Sequence, residues 1–151
     1  MNKLDIEILN ILQNDSSLVV KDIAEKIGLS KTPTYERIKR MEHDGIIIKY
    51  AALVNRELVG LNLLVYCNIT LKEQSKKALM NFEAAVTKFP EILEVISISG
   101  VYDYMLKIAV KDITSYNDLI VNVIANIPNI GQYHSSFVLK EVKRETAYNI
   151  E

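Results

Sequence analysis

The spacing of apolar residues changes once along this chain of 151 residues, near positions 55 to 60, and the change divides the fold. Before it, apolar side chains recur at intervals of three and four. Leu4, Ile8 and Leu12, with Ile11 beside them, mark a first helix, and Val20, Ile23, Ala24 and Ile27 mark a second. Gly28 follows at once, at the position where a helix commonly ends in a left-handed residue. Leu29-Ser30 restart the chain, and Pro33 suits a first helical turn, so a third helix is predicted to about Asp44, closed by Gly45. Ser30 and Thr32 both offer an N-cap hydroxyl. Tyr35, Ile38 and Met41 are expected to form its inward stripe, against Ile23, Ile27 and Leu29. Two helices joined by a short Gly-Leu-Ser turn have the layout of a helix-turn-helix.

After Gly45, residues 46–54 are rich in β-branched side chains and are predicted as a strand leaving the first domain, with residues 55–60 as a connector. From Leu61 onward strands and helices alternate. Leu63, Val65, Cys67, Ile69 and Leu71 keep a period of two, and Ala78, Leu79, Phe82, Val86 and Phe89 keep helical spacing. Residues 92–99 and 104–110 are predicted strands joined through Gly100-Val101-Tyr102-Asp103 in a hairpin. Tyr116, Leu119, Ile120, Val123 and Ile127 mark another helix, and residues 133–139 a last strand with Tyr133, Ser135, Phe137 and Leu139 on one side. The expected class is α+β: an N-terminal winged helix-turn-helix over residues 1–54, then a ferredoxin-like βαββαβ domain over residues 61–151. A first domain of this size buries a small share of its surface and is expected to lean on a neighbour or on oligomerisation.

Charge carries the functional reading. The formal net charge is -1, which argues against a broadly basic nucleic-acid binder, so any such site must be local. The predicted third helix supplies one: Lys31, Arg37, Lys39 and Arg40 stand against Glu36 alone over residues 31 to 40. Guanidinium and ammonium groups bond phosphate or the guanine edge, and small hydroxyl residues at a helix start can approach bases. Ser30, Lys31, Thr32, Thr34, Arg37, Lys39 and Arg40 are therefore candidate contacts to double-stranded DNA, with Thr32, Thr34 and Arg37 toward the bases. No His or Cys stands beside a plausible base and no Gly-rich phosphate loop occurs, so no catalytic site is assembled and an enzyme is not expected. His43 and His134 lack partners at metal-ligand spacing, and the single Cys67 excludes an internal disulfide. No metal and no bound cofactor is expected. With no long apolar run and no basic-then-apolar leader, the expectation is a cytoplasmic protein without a membrane partner.

Three stretches in order, Leu4-Asp5-x-x-Ile8-Leu9, Ile23-Ala24-x-x-Ile27-Gly28-Leu29-Ser30 and Thr32-Pro33-x-x-x-Arg37-Ile38-Lys39-Arg40-Met41-Glu42-x-x-Gly45-Ile46-Ile47, resemble the Lrp/AsnC family of bacterial and archaeal regulators. Ser99-Gly100-Val101-Tyr102-Asp103-Tyr104, Ile127-Pro128 and residues 138–143 extend the resemblance over nearly the whole chain. It implies a sequence-specific transcriptional regulator whose second domain dimerises through its sheet and can assemble four dimers into an octamer. It also implies a small effector, commonly an amino acid, bound near the Gly-x-Tyr-Asp hairpin. Ser99, Gly100, Val101, Tyr102, Asp103, Gln132 and Ser135 are the candidate effector residues, with Asp103 offered to an α-ammonium group and turn amides to an α-carboxylate. Val101 departs from the family pattern, where a charged or polar residue is common. The alternative is an amino-acid-binding oligomeric sensor that does not bind DNA, a reading favoured by the near-neutral charge.

Overall fold

Asn2 and Asp5 start the first helix reciprocally: the Asn2 side chain accepts from the Asp5 backbone N–H at 3.0 Å, and the Asp5 carboxylate accepts from the Asn2 N–H at 3.1 Å. This capping box satisfies two of the N–H groups that every helix start leaves open. In the computed structural model, which describes residues 1–151, α1 spans Lys3–Asn14, α2 Val20–Lys26 and α3 Lys31–His43. Gly28 turns the chain between α2 and α3 at φ +69, in the left-handed region. Ile8, Leu9, Ile23, Ile38 and Met41 form the core of these helices.

The inward stripe of α3 keeps Ile38 and Met41 as expected, with Thr34 in place of Tyr35 as its third member. Thr34, Ile38 and Met41 are the buried positions, whereas Tyr35 is 48% exposed, with the Lys39 ammonium 5.7 Å from its ring centroid. Spacings of four and three put Thr34, Ile38 and Met41 on one line, and the small Thr34 pays for its buried hydroxyl by donating to the Ser30 carbonyl at 3.0 Å. The predicted strand at 46–54 is not formed within the chain. Ile46 and Ile47 form a bend whose N–H groups donate to the Met41 carbonyl, residues 48–54 have no ladder partner, and Ile48 is 90% exposed. Strand propensity expresses itself only where a second strand takes up the backbone groups.

Two compact units divide the chain: Met1–Leu53 with Val142–Glu151, and Val54–Glu141. The last ten residues thus cluster with the helical unit, where the expected boundary assigned them to the second domain. Ile150 packs against the helical core, and the Tyr148 backbone N–H donates to Gln13 Oε1 at 2.7 Å while Gln13 Nε2 donates back to the Tyr148 carbonyl at 3.3 Å.

In the second unit β1 (Leu63–Leu71), α4 (Lys76–Val86), β2 (Ile92–Ser97), β3 (Tyr104–Val110), α5 (Ile113–Asn122), a 3-10 turn at Ile124–Asn126 and β4 (Ile130–Phe137) follow in order. The strands pair antiparallel in the order β2-β3-β1-β4, the ferredoxin-like arrangement. Every second residue of β1, Val65, Cys67, Ile69 and Leu71, packs with Leu106 and Ile108 of β3 against Phe82 and Val86 of α4 and Tyr116, Leu119 and Ile120 of α5. The last strand begins earlier than predicted because β4 pairs with β1 as far as Leu71 and Ile130, across an irregularity at Thr70/Leu71. Gly131 sits at that irregularity, where a Cβ would lie 3.1 Å from Thr70 Oγ1 and 3.2 Å from the Thr70 carbonyl oxygen. No helix is long and apolar enough to cross a membrane.

Candidate nucleic-acid interface and effector region

Ser30, the residue that starts α3, makes no side-chain cap bond, which leaves its hydroxyl free, and Lys31 and Thr32 beside it are exposed. The expected excess of cations is present on this helix but is mostly matched. Arg37 Nη1 lies 2.8 Å from Asp5 Oδ1, and Arg40 Nη2 lies 2.7 Å from Asp5 Oδ2. Arg37 also donates to Asn2 Oδ1 at 3.2 Å. Lys39 pairs with Glu42 at 2.6 Å, and the Tyr50 hydroxyl donates to the same carboxylate at 3.0 Å. Burial, then the Glu42 bond, pushes the Tyr50 phenol up to about 12. Of the four cations between positions 31 and 40, Lys31 alone has no carboxylate partner.

Asp5 is the centre of this arrangement and is 2% exposed. Burial pushes its carboxyl upward, but the Asn2 N–H, the Arg37 bond and the charges of Arg40 and Arg37 outweigh burial and hold it below the ordinary carboxylate value. Sequence reasoning gave Asp5 no role, because its partners stand more than thirty positions away and meet it only once α1 lies beside α3. Thr34 is a correction among the DNA candidates: fully buried and bonded to Ser30, it does not present its hydroxyl to a base. Tyr35 takes its place on the outward face.

The hairpin of the second unit forms as expected, with Ser97 opposite Tyr104. Gly100 has φ +121, a conformation that side-chain-bearing residues rarely adopt, and Val101 is 84% exposed. Tyr102 stacks near His134 of β4, with ring centroids 5.4 Å apart. Asp103 is held inside its own unit. Its Oδ2 accepts from the Leu71 N–H at 2.7 Å, its Oδ1 from Gln74 Nε2 at 2.8 Å, and its backbone N–H donates to the Ile69 carbonyl at 2.9 Å. The carboxylate offered to an effector ammonium therefore already staples the hairpin to the end of β1.

The remaining effector candidates fall on two faces. Gln132, paired with Thr70, shares with His134 the sheet face away from the helices, whereas Ser135 alternates onto the helix side and hydrogen-bonds the Tyr116 hydroxyl. Ser135 thus lines a cleft of about 400 Å³ between α5 and β4, together with Thr114, Tyr116, Asn117, Tyr133 and Phe137. Burial raises the Tyr116 phenol, with a smaller push from Cys67, and outweighs the lowering by the Ser135 bond, so it stays protonated. The sequence marks Tyr116 only as a core position of a helix and gives Asn117 no role. The shared face of Tyr133, Ser135 and Phe137 is as their spacing predicts, but that this face meets α5 in a cleft is not encoded by spacing.

Comparison with known proteins gives this geometry its context. Residues 1–48 match the family described as winged helix-turn-helix DNA-binding, and residues 64–148 match the Lrp/AsnC ligand binding domain. The chain is 38% identical over 144 residues to the leucine-responsive regulatory protein of Haemophilus influenzae, covering 95% of this chain and 87% of that protein. It is 32% identical over 151 residues to the DNA-binding transcriptional activator DecR of Escherichia coli, covering 100% and 99%. Among solved structures, a transcriptional regulator from Neisseria meningitidis in complex with L-methionine superposes with a TM-score of 0.93 at 32% identity, over 99% of this chain and 96% of that one. With a helix-turn-helix whose third helix begins in free Ser30, Lys31 and Thr32, followed by an antiparallel sheet backed by two helices on one face, the chain belongs to the Lrp/AsnC family of DNA-binding transcriptional regulators.

Proposed function

We propose that this regulator inserts the N-terminal end of α3 into the major groove of double-stranded DNA and responds to a free amino acid bound by its second unit. The observation that carries the DNA half is the start of α3, where Ser30, Lys31 and Thr32 stand exposed and Lys31 is unpaired. A helix N-terminus with open N–H groups, an ammonium group and two hydroxyls is suited to phosphate and base edges together. Arg37, Lys39 and Arg40 contribute behind it, each in exchange with a carboxylate of its own chain.

The effector half rests on the L-methionine complex of the Neisseria regulator and on the match to a ligand binding domain. In this chain the exposed turn around Ser99, Gly100 and Val101 supplies amides for an α-carboxylate, with Tyr102 and Gln132 nearby on the sheet side. We further propose a homodimer, built up to an octamer. Residues 48–54, of strand composition and without a ladder partner, with Ile48, Leu53 and Val54 exposed, favour pairing with a second copy. The DNA-binding domain then comprises residues 1–54, and the effector and assembly domain begins near residue 61.

A gel-shift titration against the upstream region of its own gene, run over a salt series, tests the DNA half. A dimer making six or more phosphate contacts loses about a thousandfold in affinity between about 50 and 200 mM salt. Binding that is flat across that range overturns it. Thermal-shift screening against the twenty amino acids tests the effector half, since a ligand that binds the folded state raises its stability by mass action. No shift with any of them at millimolar concentration overturns that half.

A further inference from the structure

Asp5 is buried at the start of α1, fixed there by its capping box with Asn2, and its two oxygens each hold a guanidinium of α3. We propose that Asp5 is an internal counter-anion of the recognition helix, a carboxylate that competes with DNA phosphates for Arg37 and Arg40 and so suppresses binding to duplexes of arbitrary sequence. The inference rests on the reading that α3 is the element that meets DNA.

The chemistry of the competition is direct. A carboxylate and a phosphate oxygen accept the same guanidinium N–H donors in the same geometry, so a bond to one is given up for the other. A flexible surface Glu would lose this contest, because it must be ordered to compete. Asp5 is already ordered: the Asn2 N–H binds one oxygen, the surrounding helix excludes water, and the chain has no freedom to withdraw it. Arg37 is held hardest, with its side chain 24% exposed and a second acceptor in Asn2 Oδ1, whereas Arg40 is 53% exposed. Lys39 is restrained in a similar way, more weakly, by the surface carboxylate of Glu42. What remains free on α3 for an arbitrary phosphate is Lys31.

The consequence concerns discrimination. Binding to arbitrary DNA is almost wholly electrostatic, while a correct site adds contacts at base edges. Engaging two cations with one internal carboxylate lowers the first term and leaves the second to the exposed groups at the helix start. The near-neutral charge of the chain is then a property of how the helix is tuned and no obstacle to DNA binding.

The test measures the slope of log affinity against log salt on a duplex of unrelated sequence, for full-length protein whose folding is checked by circular dichroism. Each cation newly placed on a phosphate steepens that slope by about 0.9. Asp5→Asn is expected to steepen it by about one to two units per subunit and to tighten binding at low salt. A purely structural Asp5 would lower thermal stability and leave the slope unchanged or shallower, and that result in folded protein overturns the proposal. Lys31→Gln and Arg40→Gln decide the matter independently, including the case where Asp5→Asn does not fold. Lys31→Gln is expected to flatten the slope by about 0.9 and Arg40→Gln to change it by less than half as much. An equal loss from both means that Arg40 already sits on phosphate with Asp5 in place, and the proposal fails while the reading of α3 stands. Wild-type protein without salt-dependent binding fails the reading of α3, and the proposal with it.

Discussion

Asp5 links the charge pattern of the recognition helix to the stability of its unit, and the two effects separate by pH. Its carboxyl is held below the ordinary value of 3.8 in the folded protein, so in this range the unfolded chain binds more protons than the folded one and stability rises with pH. The contribution is complete above the unfolded value and is lost as pH falls through the folded one. Thermal unfolding followed from about pH 6 down to about pH 2 is therefore expected to show a falling limb that Asp5→Asn flattens. At neutral pH the same variant is expected to cost about 2 kcal/mol, below the cost of orphaning a fully buried charge, because Arg40 can turn to water. Asp103 makes the same point in the second unit. Asp103→Ala leaves the Leu71 N–H without an acceptor in a buried position, so it is expected to cost about 1 to 3 kcal/mol in urea unfolding before any effect on ligand. Both carboxylates were legible as residues and neither as a structural tie. Asp5 was visible only as part of a motif, and Asp103 was read toward a ligand because its acceptor capacity in the folded unit depends on where Leu71 and Gln74 come to lie.

Elements were legible where their own spacing decides them and illegible where a partner does. The period-two run of β1 and the helical run of α4 carry their own core face, and each forms where its pattern places it, except that α4 stops at Val86, short of Phe89. The α3 stripe was misassigned because Tyr35 is larger and more apolar than Thr34, yet the line of Ile38 and Met41 continues through Thr34. Residues 46–54 have strand composition but no strand beside them. The C-terminal segment was the least legible of all, since nothing in residues 142–151 announces that Ile150 belongs to a core built from the first forty residues. Its attachment is testable. Deleting residues 142–151 removes the two Gln13 bonds to Tyr148 and the Ile150 contact, and is expected to destabilise the helical unit by about 1 to 2 kcal/mol. Hydrogen exchange is expected to report this as faster exchange along α1, with the amides of β1 and β3 unchanged. Uniform loss of protection in both units would mean that the segment acts on the whole chain.

For the whole molecule, the two units perform different chemistry, and a regulator needs their binding equilibria to be coupled. Neither a tightly bound effector nor a tightly bound operator provides that coupling unless one of them binds better to the state the other prefers. Coupling free energies between such sites are typically about 1 to 3 kcal/mol, a change of about 5- to 150-fold in affinity. Linkage requires the effect to be reciprocal: whatever factor a saturating amino acid imposes on operator affinity, a saturating operator duplex imposes on amino-acid affinity. Calorimetric titration of the effector with and without duplex, set beside fluorescence anisotropy of the duplex with and without effector, measures both sides. The two factors are expected to agree within error at matched salt and protein concentration. If the chain assembles through residues 46–54, both factors are further expected to shift with protein concentration, because the effector then selects among assemblies as well as among conformations. An Ile48→Asp variant, charged at a side chain that is 90% exposed in the single chain, is expected to remove that concentration dependence while leaving both units folded. Persistence of the dependence in Ile48→Asp would move the assembling surface away from residues 46–54 and onto the sheet.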